Sequence, residues 1–575
     1  MERRIFLAVF LSFLVVYAYQ ALFVPAQPPE PAATTARPQR GGASSAPAPV
    51  GAEARPIPAE PAPAAPGERA IVGETSERDV VIETRTVRAV FTNRGGRIKQ
   101  WFLKQYDEDS AGHSVNLVPT NVPADTPLPF SLRVDEGGLT PTLNNALYKA
   151  TASANQVTFE YEGVSGLRVR KAFTLDPQSY VVTFTASVQQ GDRTFNPYVQ
   201  WGPGLGDIGA TKSGGSFFTG NYVQPPQAIY HTGEKVERIT AAKVAESPVH
   251  EGSFRFAGVD DHYFIAATVN PGPARIEYRS VMLPATTSPN TERQLLAQTY
   301  HFTQPPSNIK FYFGPKSFDV LKSVDAEFVR AIHYGIFAWL AVPLLGALKW
   351  IFGFTHNYGW AIILLTILIN IVIFPLRHKS VVSMRKMQAL QPQLKAIQDR
   401  YTDLKVTDPA RQKMNTEVMN LYREKGVNPA SGCIPMLLTL PVLFAFYSLL
   451  QQSIELRGAP FALWIHDLSH PDPYFVTPLL MGASMFWQQK ITPSTADPTQ
   501  QRVMMIMPLM LSVMFLWAPS GLVLYWFVSN LWAIGQQYFT NWLIGPPVVQ
   551  AVRPPAERKL KNAGAGRTER AEKRS

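Results

Sequence analysis

Apolar and polar positions divide the chain into two unlike halves. Up to about residue 330 there is one unbroken apolar run, residues 5–24, followed by mixed, polar-rich sequence. After it come apolar runs at 358–376, 432–452, 473–489, 503–518 and 520–542, separated by short polar segments. About 18 or more apolar residues in a helix cross the ~30 Å hydrocarbon layer of a bilayer. These runs are therefore read as five spans, and six with the N-terminal run. Residues 324–352 are harder to place. Phe328, Ile332, Ile336 and Trp339 recur at helical spacing, but Pro343 interrupts the run and only about five residues separate it from the next helix. An amphipathic helix lying in the interface is expected there, with a further span as the alternative.

The first half has a different period. Val80-Val81-Ile82, Val157 to Tyr161, Tyr180 to Phe184 and Ile309 to Phe313 are short runs of β-branched and aromatic residues between turn residues. They predict an all-β sandwich over 71–323. Residues 25–70 are dominated by Pro and Ala and predict an extended linker without a core. The apolar run before it follows Glu2-Arg3-Arg4 and looks like a signal peptide. Pro25, inside the one small-residue exit, favours an uncleaved signal anchor over 1–24.

Charge orients these elements. The chain carries a net +11. Residues 377–428 hold eleven Lys/Arg against five acids, a net of +6, which the positive-inside rule puts in the cytoplasm. The tail over 545–575 is also basic, and the acid-rich loop 455–472 suits the opposite side. Six spans with both termini cytoplasmic and the β domain periplasmic satisfy all of these. A seventh span at 324–352 would put the β domain and the +6 loop on one side.

No reaction chemistry emerges. The spans lack metal-ligand pairs and paired carboxylates, so no catalytic residue, metal or cofactor is expected. His466-Asp467 has no nucleophile beside it. The single cysteine, Cys433, excludes an intrachain disulfide and reads as a small buried residue. Within 377–428, helices over about 379–401 and 409–425 make a basic hairpin, either a solvated face or a docking element. Met481, Met485, Met504, Met505, Met507, Met510 and Met514 gather in two neighbouring spans, where flexible thioethers suit varied apolar partners or ordinary packing. Thr366, Asn370, Thr439, Ser448, Gln451, Gln452, Ser529, Asn530, Gln536 and Gln537 are polar residues within or at the ends of apolar runs, and such groups tend to face one another or a wet cavity.

Several separated motifs occur in a telling order: Phe374-Pro375-Leu376, Asn428-Pro429, Gly432-Cys433, Pro435, Pro441, Glu455-Leu456-Arg457, the run Ala459 to Leu468, and the run Pro519 to Tyr525. Over roughly 325–545 the chain resembles the YidC family of membrane protein insertases, and its N-terminal anchor and β domain resemble the Gram-negative branch. The resemblance implies a multi-domain membrane protein. A six-span α-helical region would contain a five-span insertase core (353–544), joined to a periplasmic all-β supersandwich without known enzymatic activity. It implies a groove open to cytoplasm and lipid, in the inner membrane, that moves transmembrane segments without consuming a nucleotide. Partners would be nascent membrane proteins and a Sec translocon. Residue by residue, Thr366 and Trp526 fall at groove positions, and Leu443, Met481 and Met514 at apolar slide positions. Family members usually carry a positive residue where this chain has Asn370. Arg377, seven residues on and nearly on the same face, is the expected substitute. In the tail, Arg558, Lys559, Lys561 and Arg567 are expected to meet the ribosome or anionic phospholipid. The competing classes are a solute transporter or channel, which would show inverted repeats and intramembrane charges along a path, and a carbohydrate-binding receptor built on Trp101, Tyr106, Tyr161 and Trp201.

Overall fold

Alternation of buried and open side chains governs the first domain of the chain, here a computed structural model. In the strand Gln156–Gly163, Val157, Phe159 and Tyr161 face inward, and the intervening residues face outward. Such strands assemble into an antiparallel fourteen-stranded sheet and a four-stranded one (Asp79–Glu83, Val87–Thr92, Arg97–Asp107, Ser114–Asn116). Trp101 ties the two sheets together: its Nε1 donates to the Phe313 carbonyl at 2.9 Å, and the two rings meet edge to face at 5.6 Å. Phe130 is the hub of the core, within 6.0 Å of Phe173, Phe184, Trp201, Phe311 and Phe313. Trp101, Tyr161 and Trp201 are buried and Tyr106 partly so. These aromatic residues therefore build the core rather than a sugar-binding cleft. Among the described residues one short helix, α1 (Leu139–Asn145), interrupts the strands.

The structure describes residues 70–107, 112–120, 122–123, 126–135, 138–205, 224–284, 292–401, 410–427, 434–492 and 498–545. The expected anchor over 1–24, nearly all of the linker, Cys433 and the tail from 546 lie outside these residues. Residues 67–496 and 501–575 form one compact unit.

Past the β domain comes α2 (Phe318–Val324), then two 3-10 turns (Phe328–Ala331 and Gly335–Phe337) and α3 (Ala338–Thr355). The single interfacial helix expected from 324 is thus broken until residue 338, and α3 continues past 352. Nor is α3 amphipathic. Ala341, Leu345, Leu348 and Ile351 are buried on one face, while Trp339 and Trp350 (each 70% exposed) and Phe354 stand on the other. Its one charged residue, Lys349, turns to Asp319 at 2.8 Å and Glu455 at 2.7 Å. Gly335–Thr355 and Tyr358–Ala389 are long and apolar enough to cross a membrane.

The next helix, α4 (Tyr358–Ala389), is capped by Asn357, whose side chain accepts from the Trp360 amide. Its 32 residues join the first expected span to the first arm of the expected hairpin. Nothing in 377–389 breaks the helix; the break comes at Leu390, just before Pro392. Helices α5 (Gln391–Asp399) and α6 (Ala410–Glu424) complete the hairpin. Arg400 and Tyr401 reach Glu417 across it, at 2.9 and 2.8 Å. Helices α7 (Ile434–Gln452), α8 (Val476–Ile491), α9 (Pro498–Met514) and α10 (Ser520–Ile544) follow. Large apolar side chains stand open on α8 to α10, among them Leu479, Trp487, Met507, Leu509, Met510 and Trp542. An open apolar surface of this extent fits a lipid surrounding rather than water.

The β domain and the helices share a polar joint. Glu455, just after α7, accepts from Lys349 and Ser317, and Arg457 donates to the Asp107 carbonyl at 2.8 Å. His262 Nε2 lies 2.9 Å from the Gln451 carbonyl at the end of α7. Behind it, Lys316 pairs with Asp260 at 2.9 Å, both fully buried. Burial is the main cause that pushes Asp261 up to about 6 and His262 down to about 4.

Candidate functional site

Four of the expected residues converge on one cavity. It measures about 150 Å³ and is lined by Ile369, Asn370, Ile373 and Arg377 of α4, Val442 and Leu443 of α7, and Tyr525, Trp526 and Ser529 of α10. Spacings of three and four residues on α4 and α10 turn these side chains to a common face, and the adjacent Val442 and Leu443 complete it from α7. Asn370 is buried, and its Nδ2 donates to the Thr366 carbonyl at 2.8 Å. Its Oδ1 accepts from Arg377 Nη1 at 3.2 Å. Among the described residues no carboxylate pairs with this guanidinium. Thr366 itself is fully buried, and its hydroxyl donates to the Ile362 carbonyl at 2.6 Å. It therefore supports Asn370 from one turn away rather than opening on the cavity.

Of the expected apolar slide, Leu443 lines the cavity and Met514 is partly buried against the core. Met481 is fully buried on α8. Its carbonyl accepts from Ser484, whose oxygen accepts in turn from Asn530 of α10 at 3.2 Å. That position packs helices rather than presenting an open surface. Met505, Met507 and Met510 of α9 stand exposed. Close approach of α8 and α9 depends on Gly482, where an added Cβ would sit 1.9 Å from Ser512 Oγ.

The loop between α7 and α8 is tied to the start of α10, one turn before the cavity residues Tyr525 and Trp526. The Ser520 amide and hydroxyl both donate to the His470 carbonyl, at 2.8 and 2.7 Å, and Gly521 donates to the Leu468 carbonyl at 2.9 Å. Asp472 gathers Trp464 Nε1 and the Tyr474 and Thr477 amides, which hold its carboxyl below the usual range despite burial. The expected Pro519 to Tyr525 motif is therefore the stitched start of α10. At the other end Arg385 donates to the Gly545 carbonyl at 2.7 Å and to Asn541, placing a cation at the C-terminus of α10, where the helix dipole favours it.

Tyr525 was legible only as part of a motif, and Ile369, Ile373 and Val442 carry no chemical signal beyond spacing. Arg558, Lys559, Lys561 and Arg567 lie outside the described residues. No group of His, Cys, Asp and Glu able to hold a metal occurs among the described residues.

Two family models match adjoining stretches of the chain: the YidC periplasmic domain over residues 79–347 and the 60Kd inner membrane protein over 350–545. A membrane protein insertase YidC from Geobacter metallireducens is 35% identical over 94% of this chain and 98% of its own. One from Pelobacter propionicus is 34% identical over 95% and 100%. The chain belongs to the YidC family of membrane protein insertases. A solved YidC insertase matches at 18% identity over 82% of this chain and 94% of that one, with a TM-score of 0.33, too low to carry detail. As a YidC-family protein the chain is an insertase of the inner membrane with a periplasmic domain, and not an enzyme. The cavity lies wholly within the 60Kd inner membrane protein match, while the joint at Lys349, Glu455 and Asp319 spans both matched regions.

Proposed function

We propose that the chain passes transmembrane segments of newly made proteins into the inner membrane through a groove whose inner wall is the cavity between α4, α7 and α10. The observation that supports this is the convergence of Asn370, Arg377, Leu443 and Trp526 on one small space among otherwise apolar helices. A polar stretch of a client costs free energy in hydrocarbon. Partial solvation by Asn370, Arg377 and Ser529 lowers that cost while the client's apolar segment leaves along Leu443, Met514 and the open methionines of α9. Thr366 keeps Asn370 in place. With the β domain periplasmic, the stitched loop 458–472 closes the periplasmic side and the basic hairpin 377–428 faces the cytoplasm, as do both termini. The six spans are then the run 5–24 with α4, α7, α8, α9 and α10, and α3 lies at the outer interface.

The client is a nascent membrane protein, taken alone or beside a Sec translocon. The basic tail beyond Gly545 holds the ribosome or anionic phospholipid. One experiment tests these readings together. A photocrosslinker at Trp526 or Met514 should capture a ribosome-bound nascent membrane protein in vesicles without and with a Sec translocon, more weakly once the chain is cut after Gly545. Crosslinks absent from both positions would sink the groove. An unchanged yield after truncation would sink the role of the tail.

A further inference from the structure

A second cavity, larger than that of the groove, lies on another face of the same helices. It is a trough of about 700 Å³ between α4 and α10, running from Ile363 to Phe374 on one and from Val528 to Phe539 on the other. Asn370 lines the groove cavity and Ile371 the trough. Successive residues of a helix point about 100° apart, so the two hollows occupy adjacent faces of α4. Both stretches measure ~16 Å at ~1.5 Å per residue, about the depth of one leaflet of the ~30 Å hydrocarbon layer. Ile371, Leu531 and Phe539 are exposed, while Trp532 Nε1 and Gln536 Oε1 are buried and do not open on the trough. Gly535 leaves its middle clear, with no atom within 4 Å of the place a Cβ would take.

The hairpin end of the trough is different in kind. The α4 stripe of Ile363, Ile367, Ile371 and Phe374 continues at helical spacing to His378 and Arg385. His378 stacks on Phe374 and its Nδ1 lies 3.2 Å from Thr540 Oγ1. Arg385 donates to Asn541, the next residue of α10, and to the Gly545 carbonyl, so imidazole and guanidinium both cross the seam at the mouth of the trough. These bonds use two of the five N–H groups of Arg385, and among the described residues no carboxylate pairs with it. The end of α10 offers it only a partial negative charge. Lys379 and Lys386 stand exposed close by on α4. Trp542, exposed beside Phe539, sets this mouth at the level of the membrane interface, where Trp is enriched.

We propose that the trough is a binding site for one anionic phospholipid, with an acyl chain along Ile367 and Ile371 and the phosphate at Arg385 beside His378. Basic pockets between membrane helices bind anionic headgroups, and a guanidinium pairs with a phosphate through two parallel N–H bonds. A zwitterionic lipid carries its own cation next to the phosphate and gains less. The bound lipid holds α4 against α10 just before the hairpin.

The site requires only that α4 and α10 lie in a bilayer, and its test is independent of the groove. The full-length chain is reconstituted with a trace of phosphatidylglycerol or phosphatidylcholine bearing the same diazirine-labelled acyl chain, illuminated, and its labelled residues mapped by mass spectrometry. Met510, exposed on α9, reports bulk lipid. Relative to Met510, phosphatidylglycerol should label Ile367 and Ile371 about fivefold more than phosphatidylcholine does, the size of one cation acting on an anionic headgroup. Arg385→Gln should bring that ratio to one, and Arg385→Lys should keep most of it. A purely structural role for Arg385 would change labelling by both lipids alike and leave the ratio unmoved. Gly535→Phe, which fills the trough, should cut labelling of Ile371 by either lipid and spare Met510. Free glycerol phosphate should not compete, having no chain for the trough. A ratio of one on the unsubstituted chain means annular lipid only and overturns the site. Absence of label from both isoleucines, with Met510 labelled, overturns it too, since a closed seam or a protein helix would then occupy the trough. An unmoved ratio in Arg385→Gln overturns the headgroup contact.

Discussion

Asp261 and His262 are neighbours in sequence and both are buried, yet burial drives their titrations in opposite directions. Asp261 binds its last proton near 6 in the folded chain against 3.8 in an unfolded one, so folding gains stability as pH falls through 6 toward 3.8. His262 is held near 4 against 6.5, so folding loses stability as pH falls from 6.5 toward 4. Each shift corresponds to about 3 kcal/mol, and with Lys316 and Asp260 paired beside them the two effects nearly cancel. Asp261→Asn should therefore make the melting temperature fall between pH 6.5 and 4.5, and His262→Gln should make it rise. Near-UV circular dichroism of the detergent-solubilised chain measures both, and equal slopes in the two variants would refute the assignment. None of this was legible in Asp260-Asp261-His262, because burial of such a polar segment is decided by what docks on it. Lys171 was legible in principle. Strict alternation along Leu167, Val169, Lys171, Phe173 and Leu175 turns it inward with the apolar face, where its Nζ donates to the Gly95 and Phe130 carbonyls at 2.6 and 2.9 Å.

At the scale of elements, hydrophobic runs located the helices and strand periods located the sheets. Composition could not say where one helix yields to the next. The polar composition after Leu376 suggested a new element, yet nothing from Arg377 to Ala389 costs a helix its hydrogen bonds, so α4 simply continues. The opposite error occurred at 324–337, where helical spacing of Phe328, Ile332 and Ile336 coexists with two short 3-10 turns and a left-handed Gly335. The convergence of the cavity residues was readable from spacing on α4, but their partners on α7 and α10 came from the family resemblance. Packing of α4 against the loop between α7 and α8 turns on Gly359. A Cβ there would lie 2.0 Å from Phe461 Cδ2 and 2.8 Å from its Cβ, so rotating the ring gives no relief. Gly359→Ala should destabilise the helical region by about 1–3 kcal/mol. A melting temperature equal to that of the unsubstituted chain would show that Phe461 can move aside.

Over the whole molecule, the polar joint decides whether β domain and helices act as one body. Glu455 receives Lys349 and Ser317, and Lys349 also meets Asp319, so a residue after α7, one on α3, one on α2 and the residue that precedes α2 share one polar contact. The Glu455→Ala exchange leaves Lys349 with the more exposed Asp319 and should cost about 2 kcal/mol, given the partial burial of the pair. Faster proteolysis within residues 325–337 would report the loosened joint, and unchanged cleavage would mean that apolar contacts of α3 suffice. Sequence could place Glu455 in an outer loop and Lys349 on a helix. Their meeting depends on how the sandwich seats on that helix, which no local pattern encodes.

The unbroken course of α4 has a mechanical consequence. A helix of 32 residues is about 48 Å long, short of one internal hydrogen bond at Pro375, wedged at one tip where Gly359 abuts Phe461 and bearing the hairpin at the other. A load on the hairpin then acts as on a lever whose fulcrum is the Phe461 ring. Arg377 rides between fulcrum and handle, two residues past Pro375, where the missing internal hydrogen bond lets the helix bend, so a push of several ångströms at Ala389 displaces it by a fraction that bending at Pro375 sets.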